Sequence, residues 1–139
     1  MAINKKIIKL NEMFEVFDNP IDKYSQLIDL GKSNPGIPNE DKNDSNRIFG
    51  CSSLAWVITH KKNNQFYIST DSDTFIVRGL LNILKIIVSG EEKEDIQQLN
   101  IETILNTIGL GNAITSQRTN GFINALDKIK NQIGRLHEK

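Results

Sequence analysis

Cysteine is all but missing from this chain: its 139 residues include one, Cys51. A single thiol excludes an intrachain disulfide, a Cys-x-x-Cys exchange pair, and a zinc or iron–sulfur site built from this chain's cysteines alone. An excess of one charge is missing too, since 17 Lys and Arg balance 17 Asp and Glu. Nucleic-acid binders carry a basic excess or stripe, so no nucleic-acid partner is expected. No apolar run nears the ~20 residues of a membrane span. The start, Met1-Ala2-Ile3-Asn4-Lys5-Lys6, lacks the apolar stretch of a secretory signal. Hydrophobic residues make up 38% and charged residues 24%, a slightly polar balance that still suffices for a core. The expectation is a soluble, cytoplasmic chain with no membrane partner, folded as one domain over residues 1–139, within the common domain size of ~100–150 residues.

The order of hydrophobic periods sets the fold class. Residues 4–17 place Ile7, Ile8, Leu10, Phe14 and Phe17 at mixed three- and four-residue spacings, a short amphipathic helix. Asn19 and Pro20 then suit the N-cap and first position of a second helix, which runs to Gly31. Residues 32–46 hold Pro35, Gly36, Pro38 and a polar run, a long surface loop of a kind that is often functional. Beyond it the period changes to two. Residues 54–59 and 65–70 form an antiparallel hairpin around Lys61-Lys62-Asn63-Asn64, with Arg47-Ile48-Phe49 as a third short strand. Asp71-Ser72-Asp73 caps a strongly apolar helix over residues 74–88, closed by Ser89-Gly90. Helices follow at 91–99, 101–108 and 118–137. Helices segregated from a small antiparallel sheet of about three strands make an α+β fold.

Cys51 stands between Gly50 and Ser52-Ser53, after the polar loop and just before a strand. Two readings fit that position. A glycine-flanked strand tip can present a thiolate to another molecule, while a free cysteine also serves as a small buried hydrophobe. Arg47 would lower the thiol pKa, but it shares a face with position 51 only if the chain is extended through Gly50.

Four segments in order bear a resemblance that decides between them. Gly50-Cys51-Ser52-Ser53-Leu54-Ala55-Trp56 resembles the Gly-Cys-x-Ser-x-x-Trp signature of the SufE family. Leu30-Gly31-Lys32 with Pro35, Asp71-Ser72-Asp73 with Ile76-Val77-Arg78-Gly79-Leu80, and Arg118-Thr119-Asn120-Gly121 resemble that family's other motifs. The likeness runs from about residue 14 to residue 133. Phe49 stands where proline is frequent and Ala55 where valine is. Ser116-Gln117 replaces Pro-Ser, so the helix near Arg118 starts without proline's fixed φ.

The resemblance implies an α+β SufE/NifU-like fold and a sulfur acceptor. Cys51 would take the terminal sulfur of a persulfide on a SufS- or CsdA-type cysteine desulfurase and relay it to a SufB-type iron–sulfur scaffold. The chain would be a co-substrate and activator rather than a complete enzyme, with no cofactor and no metal of its own. Gly50, Ser52, Ser53 and Arg47 would shape the loop and the thiolate, and Arg118 and Asn120 would dock the partner. Two alternatives belong to other classes: a regulator that acts on a desulfurase by contact while Cys51 only packs, and an IscU-type scaffold holding a cluster across a homodimer.

The remaining candidates have plain structural accounts. Capping explains Asp71 and Asp73 without metal chemistry, and Trp56 reads as core beside Leu54 and Ile58. Arg118 is either a docking group or a solvated first-turn residue. The acids from Glu91 to Asp95 read as a solvated helix start, and His60 and His137 as surface residues. A persulfide open to bulk solutes would be reduced or oxidised, so Cys51 is expected to be partly sheltered in the free protein. Alkylation by a bulky maleimide is therefore expected to be slower than for a model thiol; an equal rate would rule sheltering out.

Overall fold

The computed structural model describes residues 2–50, 53–111 and 113–137. Among them lie α1 (Ala2–Glu15), α2 (Pro20–Ser33), a 3-10 turn (Asn39–Asp41), β1 (Ala55–Lys62), β2 (Gln65–Ser72), α3 (Phe75–Val88), α4 (Lys93–Gln97), α5 (Ile101–Ile108) and α6 (Ser116–His137). The architecture is α+β, a small antiparallel sheet flanked by helices.

Local chemistry sets most of the boundaries. Asn19 Oδ1 accepts the Ile21 N–H at 2.7 Å with Pro20 in the first turn, as the sequence predicts for α2. Asn100 caps α5 by accepting the Thr103 N–H at 3.0 Å. Gly109 ends that helix in the left-handed conformation, φ 85°. At α6 the missing proline is replaced by Thr115, whose hydroxyl accepts the Arg118 N–H at 3.2 Å.

The sheet has two strands among the described residues rather than about three. β1 and β2 pair from Ala55↔Ser72 to Lys62↔Gln65, so Lys61 and Lys62 belong to the strand and the turn contracts to Asn63-Asn64. Asn63 takes φ 59°, a left-handed conformation that asparagine tolerates. The expected third strand is a single bridge, Arg47↔Trp56. Its ladder stops because Gly50, at φ 88°, turns the chain away from the extended path.

One hairpin face, with Ala55, Val57, Phe66, Ile68 and Thr70, is buried, and α3 packs on β2. α3 is apolar nearly all round, and ten of its residues are buried, because it also packs against α2 on its other side. The α2–α3 crossing brings backbone against backbone. A Cβ at Gly31 would overlap the Phe75 carbonyl, and one at Gly79 the Leu27 carbonyl. Asn82 closes the crossing by donating to Leu30 O at 3.0 Å. Phe122, Leu126, Ile129 and Ile133 of α6 complete the core, with α6 lying along β1.

Two acidic positions depart from expectation. Glu91 is buried rather than solvated and pairs with the Lys6 ammonium, which also donates to the carbonyls of Ile87 (3.2 Å) and Ser89 (2.8 Å) at the end of α3. Its burial follows from the bridge Phe66↔Glu91, which draws the chain back onto the sheet, so α4 begins only at Lys93. The second is Asp71, which is buried and tied to the polar loop at Ile37 and Lys42. No helix among the described residues is long and apolar enough to cross a membrane.

Adding a methyl group at the crossing forces the helices apart, and overpacking of this kind commonly costs about 1–3 kcal/mol, more where backbone is the obstacle. Gly79→Ala is expected to lower unfolding free energy in urea by about 3 kcal/mol, whereas Gly134→Ala, which meets open space inside α6, is expected to raise it by about 0.5–1 kcal/mol. Equal midpoints for the two variants would show that the crossing tolerates a side chain.

Candidate functional site

The segment that carries the cysteine leaves the core at Ile48 and returns at Ala55, both buried. Ile48 N–H donates to Ala55 O at 2.8 Å and Val57 N–H to Asn46 O at 2.9 Å, so the two limbs meet at the base. Cys51 and Ser52, named from the sequence as the reacting thiol and a loop-shaping neighbour, lie outside the described residues.

Separate elements hold the described flanks. On the downstream side the β2–α3 junction grips Ser53 and Leu54. The Ser53 and Thr74 hydroxyls share a hydrogen bond at 3.1 Å, and Leu54 N–H donates to Asp73 Oδ1 at 3.1 Å. Leu54 O accepts from Asp73 N–H (3.1 Å) and from the Ser72 hydroxyl (2.7 Å). On the upstream side, α6 supplies Asn124, whose side-chain amide donates to Phe49 O at 3.2 Å. Gly50 suits that position through its φ of 88°, which side chains rarely adopt, and a Cβ there would displace the end of the Asn124 side chain.

Apolar side chains and cations share the surface around these flanks. Phe49 is 58% exposed, Phe75 46% and Leu54 41%. The Arg47 guanidinium lies 5.0 Å from the Phe49 ring centre, and Arg78 and Lys32 lie 5.6 and 5.9 Å from that of Phe75. The turn at Gly50 removes the extended path that would have set Arg47 on one face with position 51. Arg118 is half-buried, with its guanidinium 5.6 Å from the Tyr24 ring, and lines a cleft with Val77, Leu81 and Phe122; Asn120 is exposed on the same turn of α6. One turn beyond Asn124 on α6, Lys128 titrates below the ordinary lysine range because burial, and secondarily the Arg135 charge, disfavour its ammonium. Among the described residues no three His, Cys, Asp or Glu side chains gather as metal ligands.

Two sequence-based assignments change in the structure. Asp71 does not cap α3, which begins after Thr74. It is a buried anchor for the polar loop: its carboxylate accepts from the N–H groups of Ile37 (3.1 Å) and Ser72 (2.8 Å) and pairs with Lys42 and Arg78, both at 3.3 Å. Asp73 serves the cysteine segment through Leu54 rather than the helix. Trp56 is buried, as the sequence predicts, on the hairpin face opposite Val57 and beside the main cluster, with the Lys42 ammonium 5.3 Å from its ring. Leu54, expected beside it, is exposed. Asn124 gives no sign of its role in the sequence, since an asparagine amid a helix's polar positions carries no signal of its own.

Comparison with known proteins places the chain among recognised relatives. Residues 8–133 match the family model described as SufE, Fe-S metabolism associated domain. The chain is 34% identical over 128 residues to an uncharacterized SufE-like protein of Rhizobium meliloti, covering 88% of this chain and 91% of that protein. It is 35% identical over 108 residues to the sulfur acceptor protein CsdE of Escherichia coli, covering 77% of this chain and 73% of that one. In fold it is similar to a hypothetical protein from Thermus thermophilus solved in solution, with TM-score 0.78, 16% identity, and coverage of 96% and 97%.

Removing the Asp71 carboxylate leaves two cations and two N–H groups without their acceptor. Loss of one partner of a buried pair costs about 3–5 kcal/mol, and the partial exposure of Lys42 and Arg78 reduces this to about 2 kcal/mol. Asp71→Ala is expected to lose about that much stability in urea and to speed hydrogen exchange at Ile37. Unchanged exchange there would show that the loop is held by other contacts.

Proposed function

The chain belongs to the SufE family, and from that premise we propose that it accepts sulfur on Cys51 from a SufS- or CsdA-type cysteine desulfurase and relays it to a SufB-type iron–sulfur scaffold. The chemistry is thiolate exchange at a sulfane sulfur. Cys51 gives up its proton and the thiolate attacks the terminal sulfur of the desulfurase persulfide. The new bond joins that sulfur to Cys51 Sγ. The bond to the desulfurase cysteine breaks, and its sulfur leaves with the electron pair and takes a proton. The second transfer repeats the step with the scaffold's thiolate as nucleophile and Cys51 as leaving group. Each transfer is redox-neutral and needs no cofactor held by this chain.

The observation that carries this reading is the setting of the chain's one cysteine. The described residues on its two sides, Phe49 and Ser53, are held by two different elements. Around them stand exposed apolar side chains with cations on their rings, the surface composition that protein docking favours. Gly50, Ser52 and Ser53 shape the approach to the thiol, and Arg47 adds positive charge nearby. Arg118 and Asn120 contribute docking contacts at the start of α6. The partners are proteins rather than nucleic acid or membrane, and the chain acts in the cytoplasm.

Mixing the chain with a SufS-type desulfurase and cysteine tests the assignment by intact mass. The expected product is the chain plus one sulfur, removed by thiol reductant and absent in Cys51→Ser. Desulfurase stimulation that persists undiminished in Cys51→Ser would mean regulation by contact. Iron-dependent absorbance retained by the chain after reconstitution would mean a scaffold.

A further inference from the structure

We propose that Asn124 is a positioning residue for the sulfur-accepting segment, fixing the direction in which the chain enters Cys51; this rests on the function proposed above. Two contacts converge on one peptide unit. The Asn124 side-chain amide donates to Phe49 O at 3.2 Å, and the same amide nitrogen occupies the space a Cβ on Gly50 would need. The amide therefore both holds the Phe49–Gly50 peptide and covers the bare α-carbon next to it. That α-carbon is the last described backbone position before Cys51, and its φ of 88° is the bend that ends the bridge to β1.

The helix that supplies Asn124 is itself fixed. Phe122, Ala125 and Leu126 on either side are buried in the core. Two turns further on, Gln132 of the same helix accepts from the Thr59 hydroxyl at 2.5 Å and donates to Val57 O at 3.4 Å. Positions 124 and 132, eight apart, fall on the same helix face. One face of α6 thus reads the first limb of the segment through Asn124 and β1 through Gln132. The base of the segment is registered to a rigid element, while the side toward solvent stays open for a partner. Preorganisation of this kind lowers the ordering cost of docking.

The tether is a solvent-exposed hydrogen bond, so its loss is expected to change equilibria by about two- to fivefold, the lower half of the net range for one such bond. In Asn124→Ala, and in Asn124→Asp, which keeps the shape but not the N–H donor, hydrogen–deuterium exchange of a peptide spanning residues 46–50 is expected to quicken by that factor. The melting temperature should hold within a degree or two. With a SufS-type desulfurase, the KM for this chain as sulfur acceptor is expected to rise about two- to fivefold with kcat within twofold, while iodoacetamide alkylation of Cys51 does not slow. Gln132→Ala, which removes contacts of the same helix elsewhere, should leave the exchange at 46–50 and the KM unmoved. Wild-type exchange at 46–50, an unchanged KM, or equal effects from Gln132→Ala would each overturn the assignment. Failure of the wild-type chain to take up sulfur would instead remove the function and leave the exchange result standing.

Discussion

Two helices cross with no side chain between them at Gly31 and Gly79, and the cysteine segment takes its position from that contact. Where backbones touch, the interaxial distance is fixed by atoms that cannot rotate away. The first turn of α3 is thereby set against the last turn of α2. Just before that first turn, Asp73 and Thr74 hold Leu54 and Ser53. Just after the last turn of α2, Asn34 donates to Thr70 Oγ1 at 2.9 Å and to Arg78 O at 3.2 Å. Arg78 returns the contact by donating to Asn34 O and reaching Asp71. A displacement at the crossing would therefore be passed to both the polar loop and the downstream limb of the cysteine segment.

A net charge of zero conceals a specific placement of charge. Among the described residues two carboxylates, Asp71 and Glu91, are buried; Asp71 is met by Lys42, Arg78 and two backbone N–H groups, and Glu91 by Lys6. Buried pairs of this sort add little net stability, since desolvation offsets most of the attraction, but they penalise every arrangement that leaves a charge unpaired. Lys42 shows the consequence. Its ammonium both pairs with Asp71 and lies over the Trp56 ring, so one cation ties the polar loop to the outer face of the hairpin. Other cations stand over aromatic rings at the surface, with Arg47 on Phe49 and Arg78 on Phe75. There they keep exposed rings compatible with water and leave charge available to an acidic partner.

Much of this was legible residue by residue. Asn19-Pro20 announces α2, the alternation from Ala55 onward announces the hairpin, and the spacing of Phe122, Leu126, Ile129 and Ile133 announces the buried face of α6. Each depends on local geometry that periodicity encodes directly. The misreadings share a different cause. A carboxylate ahead of an apolar helix suits an N-cap or a distant cation equally well. The choice for Asp71 falls to Lys42 and Arg78, 29 and 7 positions away in sequence, which meet it only after folding. Glu91 is settled in the same way by Lys6, 85 positions away. For the site, Cys51 with its Gly and Ser neighbours was legible as a motif, whereas Asn124 became visible only through its contact with Gly50.

The division of labour between core and segment follows from the kinds of contact each uses. At Ile48 and at Ala55 the chain is held by apolar burial, whose loss costs about 1.5–3 kcal/mol per side chain. Between them the described residues 49, 50, 53 and 54 are exposed or half-buried, and the contacts that fix them are hydrogen bonds to Asn124, Asp73, Ser72 and Thr74. Such bonds contribute about 0.5–1.5 kcal/mol each, less where water competes. A partner can exchange them for its own at little net cost, while the base at Ile48 and Ala55 stays in place. The described flanks are thus the weakly held part of a segment whose base is rigid, and regions of that kind are the ones a binding event rearranges at least cost. A stretch buried like the rest of the chain would have to unfold before it could change its contacts.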